Sequence, residues 1–460
     1  MTITSQAGAD AGPDTRRRWA LLLALVVLAA FAIRLVDLGG RSLWVDEGAT
    51  WVQSQRSLAD LARVNEDPEH PPGYYMLIHF TTRVSDSEAG LRFPSVVAST
   101  LSVLLVYYLG RRLVDHKTGL IAAALLALSP LDVWYAQEAR HPVFAALVVV
   151  AAALALERGK LAGKAAAVVL LAVGLYIDFI TAAGWAALGG IWVALWWRRD
   201  RTRLVDWAVV TVIAAAIYAP IQGRQFLDGF SGLLTYEGAG IWYGEILGSN
   251  PITSNPFGLL FLGGVAIWAV VVLGNRITKG RYGHLFATIA VFGFAVGSAI
   301  TFIPRAYSVK KVIVTGWPVI VLLIAFLIVD RVAAGRRTPV LVAALALSAI
   351  GTIATFTIPK DDWRGATAFV EERARPGDVV WVRQEPWSAD AYFYYGGSLP
   401  AFYDMEPVVD DAVDTVWMIT YRRPQDTPPA LEAERWFDEN WRFEEEAPFY
   451  RLAVRKYARP

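Results

Sequence analysis

Two adjacent carboxylates, Asp46 and Glu47, are the first residues in this sequence whose types and spacing could do chemistry. They lie between Trp44 and Trp51, and tryptophan is enriched where a membrane meets water. Partial burial at that depth raises the pKa of a carboxylic acid towards the range of a general base. The pattern predicts a proton-accepting catalytic group, and the alternative interpretation is an ordinary solvated loop.

A second candidate is the acidic and imidazole pair Glu69 and His70, which precedes Pro71-Pro72-Gly73. Both side chains can bind a metal or a phosphate, and a rigid backbone holds such a group in a fixed position. The same prolines could instead simply begin the next helix. We predict His70 as a phosphate ligand, Glu69 as a metal or substrate ligand, and Tyr74 as a substrate contact.

Cationic side chains form a third set of candidates. Arg140 follows Gln137 and Glu138, and a further cluster occurs more than 160 residues later. A guanidinium fork combined with ammonium groups suits a phosphate, although Arg140 could also be an arginine that extends to the membrane interface. We predict phosphate binding by Arg140, Arg305 and Lys310, with Lys311 alongside, and substrate contacts by Gln137, Glu138 and Tyr307.

The elements that must position these residues are membrane helices. The chain is 55% hydrophobic and 18% charged, against about 45–50% and about 25% in soluble domains. The first apolar segment follows Arg16-Arg17-Arg18 and is longer than the core of a secretory signal, so we predict an uncleaved span. The eleven predicted spans are 19–36, 93–110, 119–134, 142–156, 164–180, 182–197, 204–220, 257–274, 283–303, 312–330 and 338–358.

The distribution of basic residues predicts the orientation of these spans. If residues 1–18 are cytoplasmic, every predicted cytoplasmic segment carries several Arg or Lys, as the positive-inside rule requires. The loop 37–92 and residues 359–460 then lie outside. The short segment 72–83 is too polar to span and predicts an interfacial helix.

Residues 359–460 are acidic and lack long apolar segments. Their pattern predicts a helix at 363–374, strands at 379–382 and 415–421, a helix at 430–441 and a last strand near 449–454. The predicted fold is an all-α polytopic membrane protein of about 11 transmembrane helices, spanning 19–358, with a small extracytoplasmic α/β domain at 359–460.

Composition also excludes several classes of protein. A net charge of +1 gives no basic face for nucleic acid, and the absence of cysteine excludes disulfides, thiolate metal sites and cysteine nucleophiles. The five histidines are scattered, which argues against a histidine-rich metal centre. Few ionisable residues lie at mid-membrane depth, which argues against an ion or proton pathway.

Five motifs, in order along the chain, resemble the GT-C superfamily of integral-membrane glycosyltransferases, of the protein O-mannosyltransferase and aminoarabinose-transferase type. The resemblance covers about residues 19–330. The motifs are Trp44-Val-Asp-Glu47, His70-Pro-Pro-Gly-Tyr-Tyr75, Leu91-Arg-Phe-Pro-Ser95, Ser129-Pro130 with Tyr135-Ala-Gln-Glu-Ala-Arg140, and Arg305 to Pro318.

The resemblance implies an enzyme of the multi-pass plasma membrane that moves a sugar from a polyprenyl-phosphate donor to a glycan, lipid or protein acceptor on the outer face. It places the catalytic carboxylate at Asp46, with Glu47 beside it, and a metal or donor-phosphate ligand at Glu69. No cofactor is indicated apart from a candidate divalent cation. The chain departs from the family pattern at His141-Pro142, at Ala306 and at Asp178.

Two alternatives remain open from the sequence. One is a flippase or transporter of lipid-linked glycans, for which we expect mid-membrane charge and often internal repeat symmetry. The other is a non-catalytic membrane scaffold whose external domain binds a partner. Loss of product on mutation of Asp46, with folding preserved, is expected only for the transferase.

Overall fold

The computed structural model describes residues 13–63, 71–196, 200–235, 307–382, 388–402, 412–422 and 428–460. Its contacts divide the chain into two compact units. Unit 1 comprises Met1–Val36, Val64–Tyr74 and Ser95–Phe356, and unit 2 comprises Asp37–Arg63, Tyr75–Pro94 and Thr357–Pro460.

The described part of the chain is mainly helical. Each predicted span that falls within it is helical, with 119–134 divided between two helices, whereas 257–274 and 283–303 lie outside the described residues. The helices are α1 (Pro13–Leu35), α2 (Val45–Gln55), α3 (Leu58–Arg63), α4 (Gly73–Thr82), α5 (Glu88–Leu113), α6 (His116–Ala127), α7 (Pro130–Ala136), α8 (Pro142–Leu156), α9 (Leu161–Ile177), α10 (Thr181–Trp196), α11 (Arg201–Thr235), α12 (Tyr307–Arg331), α13 (Ala334–Phe356), α14 (Trp363–Glu371), α15 (Ser388–Tyr394) and α16 (Pro428–Asn440).

Several of these helices are suited to a bilayer. Among the described residues, four are long and apolar enough to cross a membrane, namely α1, α5, the segment Arg201–Pro220 and α13. Shorter apolar helices are α8, α9 and the segment Val314–Asp330. Leu21, Leu25 and Leu28 of α1 are more than half exposed, as expected for side chains that face lipid. The protein is therefore an integral membrane protein, and the count of about 11 spans stays a prediction.

The predicted span 119–134 is two helices, α6 and α7, bent by 59°. Pro130 cannot donate a backbone hydrogen bond and disfavours helical geometry at the preceding residue. Ser129 instead starts a new helix, because its hydroxyl accepts from the backbone N–H of Asp132 at 3.3 Å. Trp317 donates its indole N–H to the same hydroxyl at 2.7 Å, which ties the break to α12.

Small residues allow the helices of unit 1 to approach closely. A Cβ at Gly110 of α5 would lie 2.7 Å from the Cα of Gly119 in α6, and one at Gly184 of α10 would lie 2.9 Å from the carbonyl oxygen of Thr315. Close backbone contact of this kind drives helix association in lipid, where hydrophobic burial contributes little.

Unit 2 contains a five-stranded mixed sheet. Its strands are β1 (Val379–Val382), β2 (Ala401–Phe402), β3 (Thr415–Tyr421), β4 (Arg442–Phe449) and β5 (Leu452–Ala458), in the order β2-β1-β3-β5-β4. β1 is parallel to β2 and β3, whereas β5 is antiparallel to β3 and β4. β1 and β3 have the predicted bounds, and the single strand predicted near 449–454 is a hairpin of two strands instead.

Alternate residues of these strands supply two apolar cores. On one face Val380, Trp417 and Val454 pack with Trp363 of α14. On the other face Trp381 and Met418 pack with Phe437 of α16. The alternation follows the two-residue period of a strand and explains how the sheet is buried on both faces.

The first-loop helix α2 also belongs to this unit. Its Val45 packs in the same core as Ala391 and Tyr392 of α15. A Cβ at Gly48 would lie 2.6 Å from the backbone nitrogen of Ala391, so only glycine allows α2 and α15 to approach this closely. The residues of the loop 37–63 are therefore fixed by the C-terminal sheet region.

Candidate functional site

Glu47, the second residue of the acidic pair, is completely buried in unit 2 and bonded to two cations. The guanidinium of Arg92 donates to its Oε1 and Oε2, both at 2.8 Å, and the ammonium of Lys360 donates to Oε2 at 3.1 Å. The backbone N–H of Trp44 adds a longer contact of 3.4 Å to Oε2. Both carboxylate oxygens of Glu47 are thus occupied by donors.

Arg92 extends this cage to the backbone before α2. It donates to the carbonyl oxygens of Leu38 at 2.9 Å, Arg41 at 2.8 Å and Ser42 at 3.0 Å. These carbonyls lie in an irregular segment, where buried polar groups need partners other than a regular ladder. The Glu47 cage, defined here as Glu47, Arg92 and Lys360, therefore fixes both the start of α2 and the segment that leads into it.

Asp46 stands beside the cage but in a different environment. It is half-buried, whereas Glu47 is fully buried. Because consecutive helical residues point about 100° apart, the Asp46 side chain leaves α2 in another direction from that of Glu47. The two carboxylates predicted as a pair have separate environments, one enclosed by cations and one partly accessible to solvent.

In unit 1, the predicted contacts Gln137, Glu138 and Arg140 lie in the turn between α7 and α8 and are all buried. The amide of Gln137 donates to the carbonyl oxygens of Arg34 at 3.2 Å and Val36 at 2.6 Å. Gln137 therefore caps the end of α1. The burial of Arg140 at 4% exposure differs from that of an arginine reaching into water at the interface.

Tyr74 is also buried in unit 1, and its neighbour there is a histidine–carboxylate pair that the sequence did not suggest. The ring of Tyr74 packs edge-on against His141 at 5.8 Å between centroids. His141 Nδ1 in turn contacts the carboxylate of Asp178, both side chains being about 3% exposed. His141 and Asp178 are two of the positions at which the chain departs from the family pattern.

A second charged network in unit 1 was also missed. Arg34 donates to the carboxylate of Asp132 at 2.6 Å and to the hydroxyl of Ser99 at 2.6 Å. It also donates to the carbonyl oxygens of Leu126 and Ala127, which end α6. Proximity of Arg34 and Asp132, 98 residues apart, has no signal in a single sequence.

The remaining predicted residues have no described side chains. Glu69, His70 and Arg305 lie outside the described residues, and Tyr307 and Lys310 lie in α12 where only the backbone is described. Within the described part of the chain, no three His, Asp or Glu side chains converge as metal ligands.

The sequence of the chain is similar to those of known glycosyltransferases. Residues 69–222 match the profile of the dolichyl-phosphate-mannose-protein mannosyltransferase family. The undecaprenyl phosphate-alpha-4-amino-4-deoxy-L-arabinose arabinosyl transferase of Pseudomonas aeruginosa is 30% identical over 220 residues, which are 44% of this chain and 39% of that protein. A namesake from Pseudomonas fluorescens is 26% identical over 221 residues. The matches span about two fifths of the length of these relatives.

Solved structures extend the similarity over nearly the whole chain at the level of fold. ArnT from Cupriavidus metallidurans, bound to undecaprenyl phosphate, has a TM-score of 0.61 and 13% identity, covering 95% of this chain and 98% of that one. The oligosaccharyltransferase AglB from Archaeoglobus fulgidus, in complex with an inhibitory peptide and a dolichol-phosphate, has a TM-score of 0.55 and 13% identity, covering 97% and 74%.

The family match covers three of the motifs read along the sequence, from His70-Pro-Pro-Gly-Tyr-Tyr75 to the turn that ends at Arg140. The resemblance predicted from them is confirmed: the chain resembles the GT-C superfamily of glycosyltransferases in sequence and has the GT-C fold.

Proposed function

We propose that the protein transfers a sugar from a polyprenyl-phosphate donor to a hydroxyl group of a glycan, lipid or protein acceptor, with Asp46 as general base. The observation that carries the proposal is the contrast within the acidic pair. The Glu47 cage fixes the start of α2, and Asp46 on that fixed helix is half-buried and partly accessible. A rigid support of this kind is what a catalytic group requires.

The proposed reaction is a single displacement. The acceptor oxygen attacks the anomeric carbon, the bond between that carbon and the phosphate oxygen breaks, and the electron pair leaves with the polyprenyl phosphate. Asp46 takes the acceptor proton, a role worth about 10²–10⁴-fold in rate. One displacement inverts the anomeric centre. Glu47 has no part in proton transfer, because both of its oxygens already accept from Arg92 and Lys360.

Cationic side chains are proposed to bind the donor phosphate. Arg140 is buried in unit 1. A guanidinium group forms strong charge-assisted hydrogen bonds with a phosphate. We propose the same role for His70, Arg305 and Lys310, and sugar or acceptor contacts for Tyr74, Glu138 and Tyr307. Gln137 is assigned a structural role at the end of α1, because its amide is used there. Glu69 is the proposed ligand if a divalent cation takes part.

We also propose an orientation of the chain in the membrane. With residues 1–18 in the cytoplasm, residues 359–460 and α2 lie on the outer face of the plasma membrane. A reporter that is active only in the cytoplasm, fused after Pro460, is expected to be silent.

The direct test uses the purified protein in lipid nanodiscs. Polyprenyl-phosphate sugars are supplied one at a time, with lipid, glycan and peptide acceptors, and released polyprenyl phosphate is measured. The transferase predicts release that depends on both substrates. Movement of the donor across a bilayer without release would identify a flippase, and binding without either would identify a scaffold; both results contradict the proposal.

A further inference from the structure

A groove with aromatic walls lies in unit 2, apart from the Glu47 cage. Its volume is about 460 Å³, within the range of about 300–1,000 Å³ found for small-ligand sites. Three aromatic rings and three charged side chains supply most of its wall. They are Trp51, Tyr394, Tyr395, Asp86, Glu88 and Arg364, and we call this set the aromatic groove.

The hydroxyl groups of the two tyrosines are already used inside the protein. Tyr394 donates to the backbone carbonyl oxygen of Asp86 at 2.9 Å. The hydroxyl of Tyr395 donates to Glu88 at 3.2 Å and accepts from the backbone N–H of Leu43 at 2.6 Å. The rings are therefore held in place by their polar ends, and the chemistry they offer a ligand is that of an apolar ring surface.

The rings also hold each other in fixed orientations. Trp51 meets Tyr394 edge-on at 5.3 Å between centroids, and Tyr394 meets Tyr395 edge-on at 4.8 Å. The guanidinium of Arg364 lies 5.7 Å from the centre of the Tyr395 ring and donates to Glu88 at 2.6 Å. The wall is thus preorganised, which lowers the entropic cost of binding a ligand.

The polar groups at the rim determine which ligands fit. Asp86 and Glu88 are carboxylates, and Arg364 neutralises only one of them through its pair with Glu88. The excess of one carboxylate disfavours anionic ligands such as phosphate groups and acidic glycans. Carboxylate and guanidinium groups bond to hydroxyls, and flat aromatic rings pack against the C–H face of a sugar ring. That combination suits a neutral or amine-bearing saccharide.

The groove is connected to the helix that carries the proposed base. Trp51 follows Asp46 by five residues on α2, about 7.5 Å along the helix axis. Tyr395 and Arg364 also contact the segment before α2, through Leu43 and Ser42. A saccharide bound in the groove would therefore lie beside residues that set the position of Asp46.

We propose that the aromatic groove binds a neutral or amine-bearing saccharide, and that this saccharide belongs to the acceptor. The second part rests on the proposed function, whereas binding itself does not. The groove would then select glycan acceptors over protein or lipid acceptors that carry no sugar.

The test is binding of the full-length protein in nanodiscs to an array of neutral, amine-bearing and anionic oligosaccharides, without any donor. We expect neutral or amine-bearing glycans to bind and anionic ones to be rejected. Trp51→Ala and Tyr394→Ala should each lower the affinity for these glycans about tenfold or more, as loss of a central aromatic contact does. Tyr394→Phe keeps the ring and should lower the glycan affinity much less than Tyr394→Ala does.

Phe393→Ala is the matched control, because Phe393 is an exposed aromatic residue of the same helix outside the groove wall. It should leave glycan binding unchanged. No binding of any glycan, a preference for anionic glycans, or equal loss in Phe393→Ala and Trp51→Ala would overturn the groove assignment. Because the array contains no donor, its result is independent of the transfer assay, and failure of transfer with glycan binding intact would count against the proposed function alone.

Discussion

Buried charged side chains have different bonding partners in the two units. In unit 1, Arg34 and Asp132 form a pair among helices, and Arg34 also donates to Ser99, to the carbonyl oxygen of Ala30 and to carbonyls where α6 ends. In unit 2, Arg92 joins Glu47 to three carbonyls of an irregular segment, and Lys360 adds a second cation. Both networks bond to backbone carbonyl groups at the end of a helix or in an irregular segment, where a regular hydrogen-bond partner is missing. In unit 2 the fixed backbone is followed by α2, which carries Asp46, and we propose that Glu47 supports this helix while Asp46 is the reactive group.

Removing Arg92 from the Glu47 cage should have the largest effect on stability. Arg92→Leu leaves a buried carboxylate with one cation and three carbonyls without their donor, at a cost of about 3–5 kcal/mol. We expect unit 2 to unfold early, as measured by limited proteolysis and thermal unfolding in detergent.

The matched control is Arg442→Ala. Arg442 forms an exposed ion pair with Glu444, so its loss should cost less than about 1 kcal/mol. Equal stability of the two variants would contradict the role assigned to the cage.

The corresponding change in unit 1 is Asp132→Leu, which leaves Arg34 buried without its carboxylate. We expect a loss of about 3 kcal/mol. The double variant Arg34→Met/Asp132→Leu should recover part of it, since two apolar residues of similar size replace the pair. Thermal unfolding of the three proteins measures the difference, and a double variant less stable than Asp132→Leu would show that the carbonyl contacts of Arg34 dominate.

Substitution of one glycine in each unit should have smaller effects on stability. Gly48→Ala places a Cβ 2.6 Å from the backbone of Ala391 and should destabilise unit 2 by about 1–3 kcal/mol. In unit 1, a Cβ at Gly316 would have its nearest neighbour at 3.8 Å. Gly316→Ala should therefore be neutral or stabilising by up to about 1 kcal/mol, because alanine favours helix. The melting temperatures of the two variants should shift in opposite directions or differ clearly.

A pH dependence of stability is also expected in unit 2. Burial raises the pKa of Asp390 from 3.8 to about 7, and the charge of Arg56 opposes this rise. The folded state therefore holds this proton more tightly than the unfolded state. The contribution of Asp390 to stability is complete below about pH 4 and is lost as the pH rises to about 7. Asp390→Asn should remove this part of the pH dependence in unfolding experiments, and an unchanged profile would contradict the assignment.

Much of the architecture could be predicted from local patterns. Apolar segments located the described helices of the predicted spans, whereas α2 and α15 were not predicted, and the apolar run of Val380, Trp381 and their neighbours located β1. The break between α6 and α7 was missed because a length criterion ignores Pro130. The β4–β5 hairpin was missed because β4 contains Glu444, Glu445 and Glu446, and the turn at Arg451 lacks glycine, although φ there is +59°.

The candidate site could be predicted only in part. The sequence identifies Asp46 and Glu47 as an unusual pair, and the family resemblance places the catalytic carboxylate at Asp46, but no local pattern distinguishes the environments of the two side chains. The distinction depends on Lys360, which is 313 residues from Glu47, and on Arg92, which is 45 residues away. Long-range pairs of this kind, like His141 with Asp178, come from packing and leave no local pattern.

The most direct test of Asp46 as the general base compares Asp46 and Glu47 variants in the transfer assay. Asp46→Asn keeps the shape of the side chain and removes the base, so turnover at saturating donor should fall by about 10²–10⁴-fold while donor binding and unfolding temperature are preserved. Glu47→Gln should instead lower the unfolding temperature, because it removes the charge that Arg92 and Lys360 contact. Turnover above about a tenth of wild type in a folded Asp46→Asn protein would contradict the assignment of Asp46 as the base.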